Sequence, residues 1–270
     1  MKNPLFIYCV TNSKSSLLEE LNYNLVGVGK KKFSKKYIDC NTGDNIQDKE
    51  EHYSELTFHY WFWKNKLKEF DNDTWIGFCQ KRRFWKKNKK EINNFEELKE
   101  NLLYESHDDW NNYDSVICNP INLGKTKFMK LIKRGWRNFF FDPKSIFKKS
   151  IKLHFDMHHG YGILEKASKE LKEGDRDEFL DYVSNNSVLN PHIMFIAKKK
   201  ILNKWFIDCF EWLFKCEKLF GFDNLTGYDK KRLYAFLAER YLSYWFNKHT
   251  KPFTWPIFFY DTNVNKIEIK

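Results

Sequence analysis

No stretch of this 270-residue chain comes near the ~20 consecutive apolar residues that a membrane-spanning helix needs. A soluble protein is therefore expected. The run Met1 to Val10 is too short and too soon polar to be a secretory signal. Paired cysteines are missing too. Cys9, Cys40, Cys79, Cys118, Cys209 and Cys216 are scattered, with no metal-ligand spacing. This disfavours a disulfide framework or a zinc site and suits reduced, buried thiols in a cytosol. Repeats and low-complexity linkers are also absent. The chain reads as one domain over residues 1–250, with a tail over 251–270 that is packed on it or partly ordered.

Acidic residues are the minority charge: 36 Asp and Glu face 47 Lys and Arg, a net +11. Such an excess suits nucleic acid, an anionic membrane surface or phosphorylated substrates. An AT-rich genome, which also raises Asn, Ile and Phe, is a second source of the lysines. Aromatic platforms in basic grooves bind single strands. Here the cations are dispersed and no recognised nucleic-acid motif occurs, so no nucleic-acid partner is expected. The patches Lys30-Lys31-Lys32 and Lys86-Lys87 offer peripheral contact with an anionic membrane, at its cytoplasmic face. A hydrophobic content of 42% with 19% aromatics is ample for a core, and most of the Trp and Phe residues are expected inside it, Trp61 and Trp63 included.

Short β-rich runs alternate with amphipathic stretches. Strands are expected at Leu5–Val10, Leu25–Val28, Tyr37–Cys40, Trp75–Cys79, Ser115–Cys118 and His192–Ala197. Apolar positions 53, 56, 60, 63 and 67 place one helix over Glu51–Phe70. Asn94 with Glu97 resembles a capping box opening a helix through Tyr104. Lys152–Asp181 reads as mostly helical, with further helices over Leu202–Phe220 and Asp229–Lys248. A turn is expected at Asp142-Pro143, and an edge strand or a partly ordered end after Pro252. The alternation argues for an α/β domain.

The strand at 75–79 ends abruptly in Lys81, Arg82 and Arg83. Open α/β sheets present ligands at the carboxyl ends of their strands, and three cations there suit an anion such as a diphosphate. No Asp-x-Asp follows this strand. Asp71-Asn72-Asp73 precedes it, at the wrong end, and Asp175-Arg176-Asp177 reads as a solvated turn. Oxygen ligands for Mg²⁺ or Mn²⁺ are thus poorly placed. A divalent metal is not expected to be required, since fixed cations can do its electrostatic work.

Tyr53–Asn65 and Trp75–Phe84, with Asn41–Ile46, Asn190–Ile196 and Phe236–Leu242, resemble in order the motifs of the DUF4422 family of bacterial capsule and exopolysaccharide glycosyltransferases. One departure is plain: Gln80-Lys81 stands where the family usually has His-Tyr. The resemblance implies a GT-A-like Rossmann-type nucleotide-sugar domain with a helical carboxyl-terminal part. It implies a hexosyltransferase moving sugar from a UDP-sugar to a glycan or lipid-linked acceptor. Val10, Thr11 and Asn12 would then meet base or ribose, and Lys81, Arg82 and Arg83 the diphosphate. Asp44 and Asn45 would bond ribose or sugar hydroxyls, unless Asn45 only closes its turn. Glu55 and Lys64 are unusual polar residues in an apolar stretch and need partners if buried. His154, His158 and His159 surround Asp156 but lack further zinc ligands. His158 or His159 takes an acceptor- or phosphate-side role under the resemblance. An inverting transfer needs a carboxylate base. Glu239 and Asp156 are the two candidates, unless Glu239 merely pairs with Arg240 or a lysine.

Overall fold

The computed structural model describes residues 4–88, 90–123, 141, 148–261 and 266–267; the expected turn at Asp142-Pro143 lies outside them. The chain divides into two compact units. The first comprises Met1–Asn119, His192–Phe206 and His249–Lys270, the second Pro120–Pro191 and Ile207–Lys248.

The first unit is built on a mixed sheet. Its strands are β1 (Leu5–Thr11), β2 (Asn24–Gly27), β3 (Ile38–Asp39), β4 (Trp75–Gln80), β5 (Arg83–Trp85) and β6 (Ser115–Cys118). β7 (Ile121–Asn122) and β8 (Val188–Leu189) pair by themselves in the second unit. β9 (Phe195–Lys198), β10 (Pro252–Trp255), β11 (Ile257–Asp261) and β12 (Lys266–Ile267) follow in the first. Among the described residues the main order is β10-β6-β9-β4-β1-β2-β3. β1 runs parallel to β2 and β4, and β9 lies antiparallel between β4 and β6. The tail thus supplies an edge strand, β10, parallel to β6, while β11 pairs with β5.

β1 is apolar without alternation because both sheet faces are covered, as parallel strands require. Ile7 and Cys9 face Leu18 and Leu98 of helices α1 (Ser16–Glu19) and α4 (Phe95–Glu100). Tyr8, on the other face, meets Phe58, Phe62 and Phe78. Asn94 caps α4 as expected, accepting from Glu97 N at 2.9 Å, but α4 ends at Glu100. Gly77 is a packing requirement of β4. A Cβ there would lie 2.8 Å from Ile196 Cγ1 and 3.3 Å from Ile7 Cγ1. Gly77→Val is expected to cost about 1–3 kcal/mol by overpacking, read as a lower urea midpoint.

The expected helix over 51–70 is broken. α2 (Glu50–Tyr53) stops at Ser54, whose φ of 52° is left-handed; α3 (Leu56–Trp61) runs into a π-helical turn at Phe62–Lys66. The wider turn shifts the buried face, so Phe58 and Phe62 are fully buried. Trp61 and Trp63, expected inside, are only half-buried, and their indole N–H groups donate to Thr42 O and Asn203 Oδ1.

The second unit is helical: α5 (Ile151–His159), α6 (Ile163–Ser168), α7 (Glu173–Asn185), most of α8 (Lys199–Phe220), α9 (Tyr228–Lys231) and α10 (Leu233–His249). Trp205, Phe206, Cys209, Leu213 and Cys216, on one side of the helix expected over Leu202–Phe220, are buried. All six cysteines are buried free thiols. No helix among the described residues is long and apolar enough to cross a membrane.

Candidate functional site

From β1 the chain goes first to β2 on one side and then returns to β4 on the other. β1 and β4 are parallel neighbours at this reversal, the place where open α/β sheets hold ligands outside the carboxyl ends of their strands. Val10 O accepts from Lys81 N at 3.1 Å, tying the two ends together. Beyond them Thr11 closes a tight turn on itself: its Oγ1 donates to Ser13 O at 2.6 Å and accepts from Ser13 N at 3.1 Å. That turn presents Asn12 and Ser13 to the Lys81 ammonium, which donates to Asn12 Oδ1 at 2.8 Å and Ser13 Oγ at 2.9 Å.

Lys81 and Arg82 form the two-residue turn between β4 and β5, with Gln80 opposite Arg83. The three cations therefore have different surroundings. Arg82 pairs with Asp261 Oδ2 at 3.4 Å, and its carbonyl accepts from Tyr260 N at 3.0 Å. Arg83 donates to Gln80 Oε1 at 3.3 Å, and Gln80 Nε2 in turn donates to Glu55 Oε1. Both guanidinium groups approach the Phe259 ring. The three cations after β4 are not the oxygen donors a hard divalent cation takes. Among the described residues no group of three His, Cys, Asp or Glu is placed to hold a metal. Asp73 stands at the amino end of β4, near Lys198 at 3.8 Å, and Asp175 is engaged by Lys248 at 2.7 Å.

The turn Asn41–Asn45 follows β3 and is held by its neighbours. Tyr60 Oη donates to Asp44 Oδ1 at 3.0 Å, and Asn65 Nδ2 to Asp44 O at 2.8 Å. That carboxylate, with burial the larger cause, pushes the Tyr60 pKa up to about 12. Asn45 Nδ2 donates to Gly43 O at 2.9 Å, while its Oδ1 accepts from Gln47 N at 3.2 Å. Asn45 thus closes its own turn, the alternative the sequence left open. Lys64 lies 3.7 Å over the Trp63 ring and is exposed.

Asp156, Glu239 and His159 belong to the second unit. The Asp156 side chain is fully buried. Its Oδ1 accepts from Gly162 N at 3.1 Å, and its Oδ2 pairs with Lys152 at 3.4 Å. These bonds staple the turn between α5 and α6. Glu239 pairs with Arg240 NH1, and Arg240 NH2 lies 3.3 Å from His154 Nδ1. His159 stacks on Phe236 at 3.9 Å, with Nδ1 2.6 Å from Asp229 O. Burial first, and the Arg240 charge second, pull His154 and His159 down to about 3.

The structure thus brings Val10 and Asn12 to Lys81, sets Arg83 across Gln80 from β1, and keeps Arg82 on the tail. Sequence reasoning gave no site role to Ser13, named Arg240 only as an ion-pair partner of Glu239, and missed the bond between Glu55 and Gln80. The signals present were the polar Glu55 in an apolar stretch and the atypical Gln80.

Comparison with known proteins follows the same lines. The family model described as a domain of unknown function, DUF4422, matches residues 6–250. Among curated proteins none matches the sequence significantly. Among solved structures, the apo structure of WbbM, a bifunctional glycosyltransferase, is similar with a TM-score of 0.60 at 19% identity. The likeness covers 95% of this chain and 45% of that one, so this chain spans less than half that protein's length. At that identity it speaks for a shared mixed α/β fold.

Proposed function

We propose, for a chain that belongs to the DUF4422 family, that it is a glycosyltransferase. It takes a sugar from a nucleotide donor, with UDP as carrier, and passes it to a glycan or lipid-linked acceptor. One observation carries this reading: at the reversal between β1 and β4, Asn12 and Ser13 beyond β1 meet Lys81 beyond β4, while Arg83 opens β5 on the other side of Gln80. The fold shared with WbbM, itself a bifunctional glycosyltransferase, supports it.

In such a transfer the bond between the anomeric carbon and the diphosphate oxygen breaks. The diphosphate leaves with added negative charge, while the acceptor oxygen bonds to that carbon and gives up its proton. Lys81 and Arg83 would stabilise the departing charge as fixed cations, which need no reorganisation at the moment of reaction. No divalent metal is required in this reading. The polar turn after β1 would take the nucleoside.

Melting curves test it. UDP at a hundredfold excess over its dissociation constant should stabilise the protein by about 2.7 kcal/mol, and oligonucleotides should not. Lys81→Ala with Arg83→Ala should weaken UDP about 10²–10³-fold, because charge-assisted bonds are the strong ones. Arg82→Ala should do far less, since Asp261 already holds that side chain. The reading fails if no nucleoside diphosphate stabilises the protein at millimolar concentration. Activity lost to a chelator and restored by Mn²⁺ would overturn its metal-free part.

A further inference from the structure

Glu55 immediately precedes α3, where an acceptor side chain would ordinarily satisfy the helix's first amides, yet it makes no capping bond. It reaches instead to the last residue of β4, where Gln80 Nε2 donates to its Oε1. The residue before it is held in an unfavourable backbone conformation: Ser54 has φ 52° and ψ −128°. Two bonds keep it there, Ser54 N to Glu50 O at 2.7 Å and Thr57 Oγ1 to Ser54 O at 2.8 Å. Such strain persists only where the surroundings over-determine it, and it gathers at functional sites.

The Gln80 amide is engaged at both ends. Its nitrogen faces the Glu55 carboxylate, and its oxygen accepts from Arg83 at 3.3 Å. A direct pair between Glu55 and Arg83 would neutralise both charges. With a neutral amide between them, the Glu55 carboxylate keeps its charge for another partner. A carboxylate has about four acceptor positions, and among the described residues Gln80 is the side chain bonded to Glu55. A half-buried carboxylate so placed calls for further donors. The diphosphate cannot be that partner, because like charges repel; it belongs with Lys81 and Arg83. The neutral, hydroxyl-rich part of a nucleotide sugar can.

We propose that Glu55 is a ligand-binding residue of this site: its carboxylate accepts hydrogen bonds from hydroxyls of the bound nucleotide sugar, with Gln80 as the positioning residue that aims it and sets it apart from Arg83. This rests on the donor reading above. The hydroxyls belong either to the ribose or to the transferred sugar.

Titration calorimetry of the wild type and Glu55→Gln tests this with pyrophosphate, UDP, and whichever of UDP-glucose and UDP-galactose the wild type binds more tightly. Glu55→Gln keeps the shape and removes the charge. Pyrophosphate affinity should be unchanged or higher, showing that Arg83 and Lys81 remain in place. The nucleotide sugar should bind about ten- to a hundredfold more weakly, the worth of a bond to a charged group. An equal loss for UDP assigns the hydroxyls to the ribose; a loss confined to the nucleotide sugar assigns them to the transferred sugar. The proposal is overturned if all three ligands bind Glu55→Gln as they bind the wild type. It is also overturned if all three weaken by one factor, since Glu55 would then act only through Arg83. If the wild type binds pyrophosphate but neither nucleotide, the donor reading falls first and this proposal with it.

Discussion

Acidification between pH 6.5 and 4 is expected to unfold this protein, with three histidines, His59 and His159 buried and His154 half-buried, setting the slope. His59 is completely buried, and burial pushes its pKa down to about 3. His154 and His159 are held to about 3 by burial and then by Arg240. In the unfolded chain each titrates near 6.5. Below that pH the unfolded state binds protons that the folded state refuses. The stabilisation present above pH 6.5 is therefore lost as pH falls toward 3. Each histidine contributes a slope of about 1.4 kcal/mol per pH unit. At pH 5 the three together have removed about 6 kcal/mol, comparable with the ~5–15 kcal/mol a domain possesses. Urea midpoints measured from pH 8 to 4.5 should be level above 6.5 and fall steeply below it. His59→Phe isolates one member. The ring sits among Phe78, Phe195 and Phe206 at 4.4, 5.6 and 6.2 Å, and its Nδ1 has no hydrogen-bond partner among the described residues. This variant should match or exceed wild-type stability at pH 7 and lose about a third of the acid slope. Midpoints that stay flat down to pH 5 would show that these rings accept protons while folded.

Glu239→Gln is expected to be among the most destabilising single substitutions in the second unit. Arg240 is only 3% exposed, its Nε is buried with no partner among the described residues, and Glu239 is its counter-ion. Removing one partner of a buried pair leaves an uncompensated charge, at about 3–5 kcal/mol. Thermal melting should show it directly. Replacing both residues, as Glu239→Leu with Arg240→Met, should recover most of the loss, because the pair itself contributes little net stability beside a well-packed apolar substitute. The competing role for Glu239, as general base, makes the opposite forecast. Turnover would fall about 10²–10⁴-fold while the melting temperature stayed near wild type. One melting curve and one rate separate the two.

The candidate site was legible at its strand ends and illegible elsewhere. Lys81 to Arg83 announced themselves because three cations interrupt an apolar run, and the β-rich runs Leu5–Val10 and Trp75–Cys79 located the first and fourth strands. Nothing local separated the three cations. Arg82 is taken by Asp261, 179 positions away, and only a tail folded back as β11 brings that carboxylate near. Asp156 has the residue type of a base and sits in a histidine-rich helix, but its two oxygens are engaged by a backbone amide and a lysine. Likewise the period that placed one helix over 51–70 was real. What it omitted was the break at Ser54 and the wider turn at Phe62–Lys66, which decide that Phe58 and Phe62, not Trp61 and Trp63, lie inside.

Local chemistry, by itself, determined six strands of the sheet, the cap at Asn94, the amphipathic helix before Phe220 and the polar turns after β1 and β3. Each depends on residues a few positions apart, whose periodicity and turn preferences act before any long-range contact exists. Tertiary structure alone decided which side chains share a charge. The antiparallel insertion of β9, the return of the tail to β6 and β5, and the bond from Glu55 to Gln80 join residues 25 to nearly 180 positions apart. Such pairings are selected by the burial of whole sheet faces, a property no short window of the chain contains.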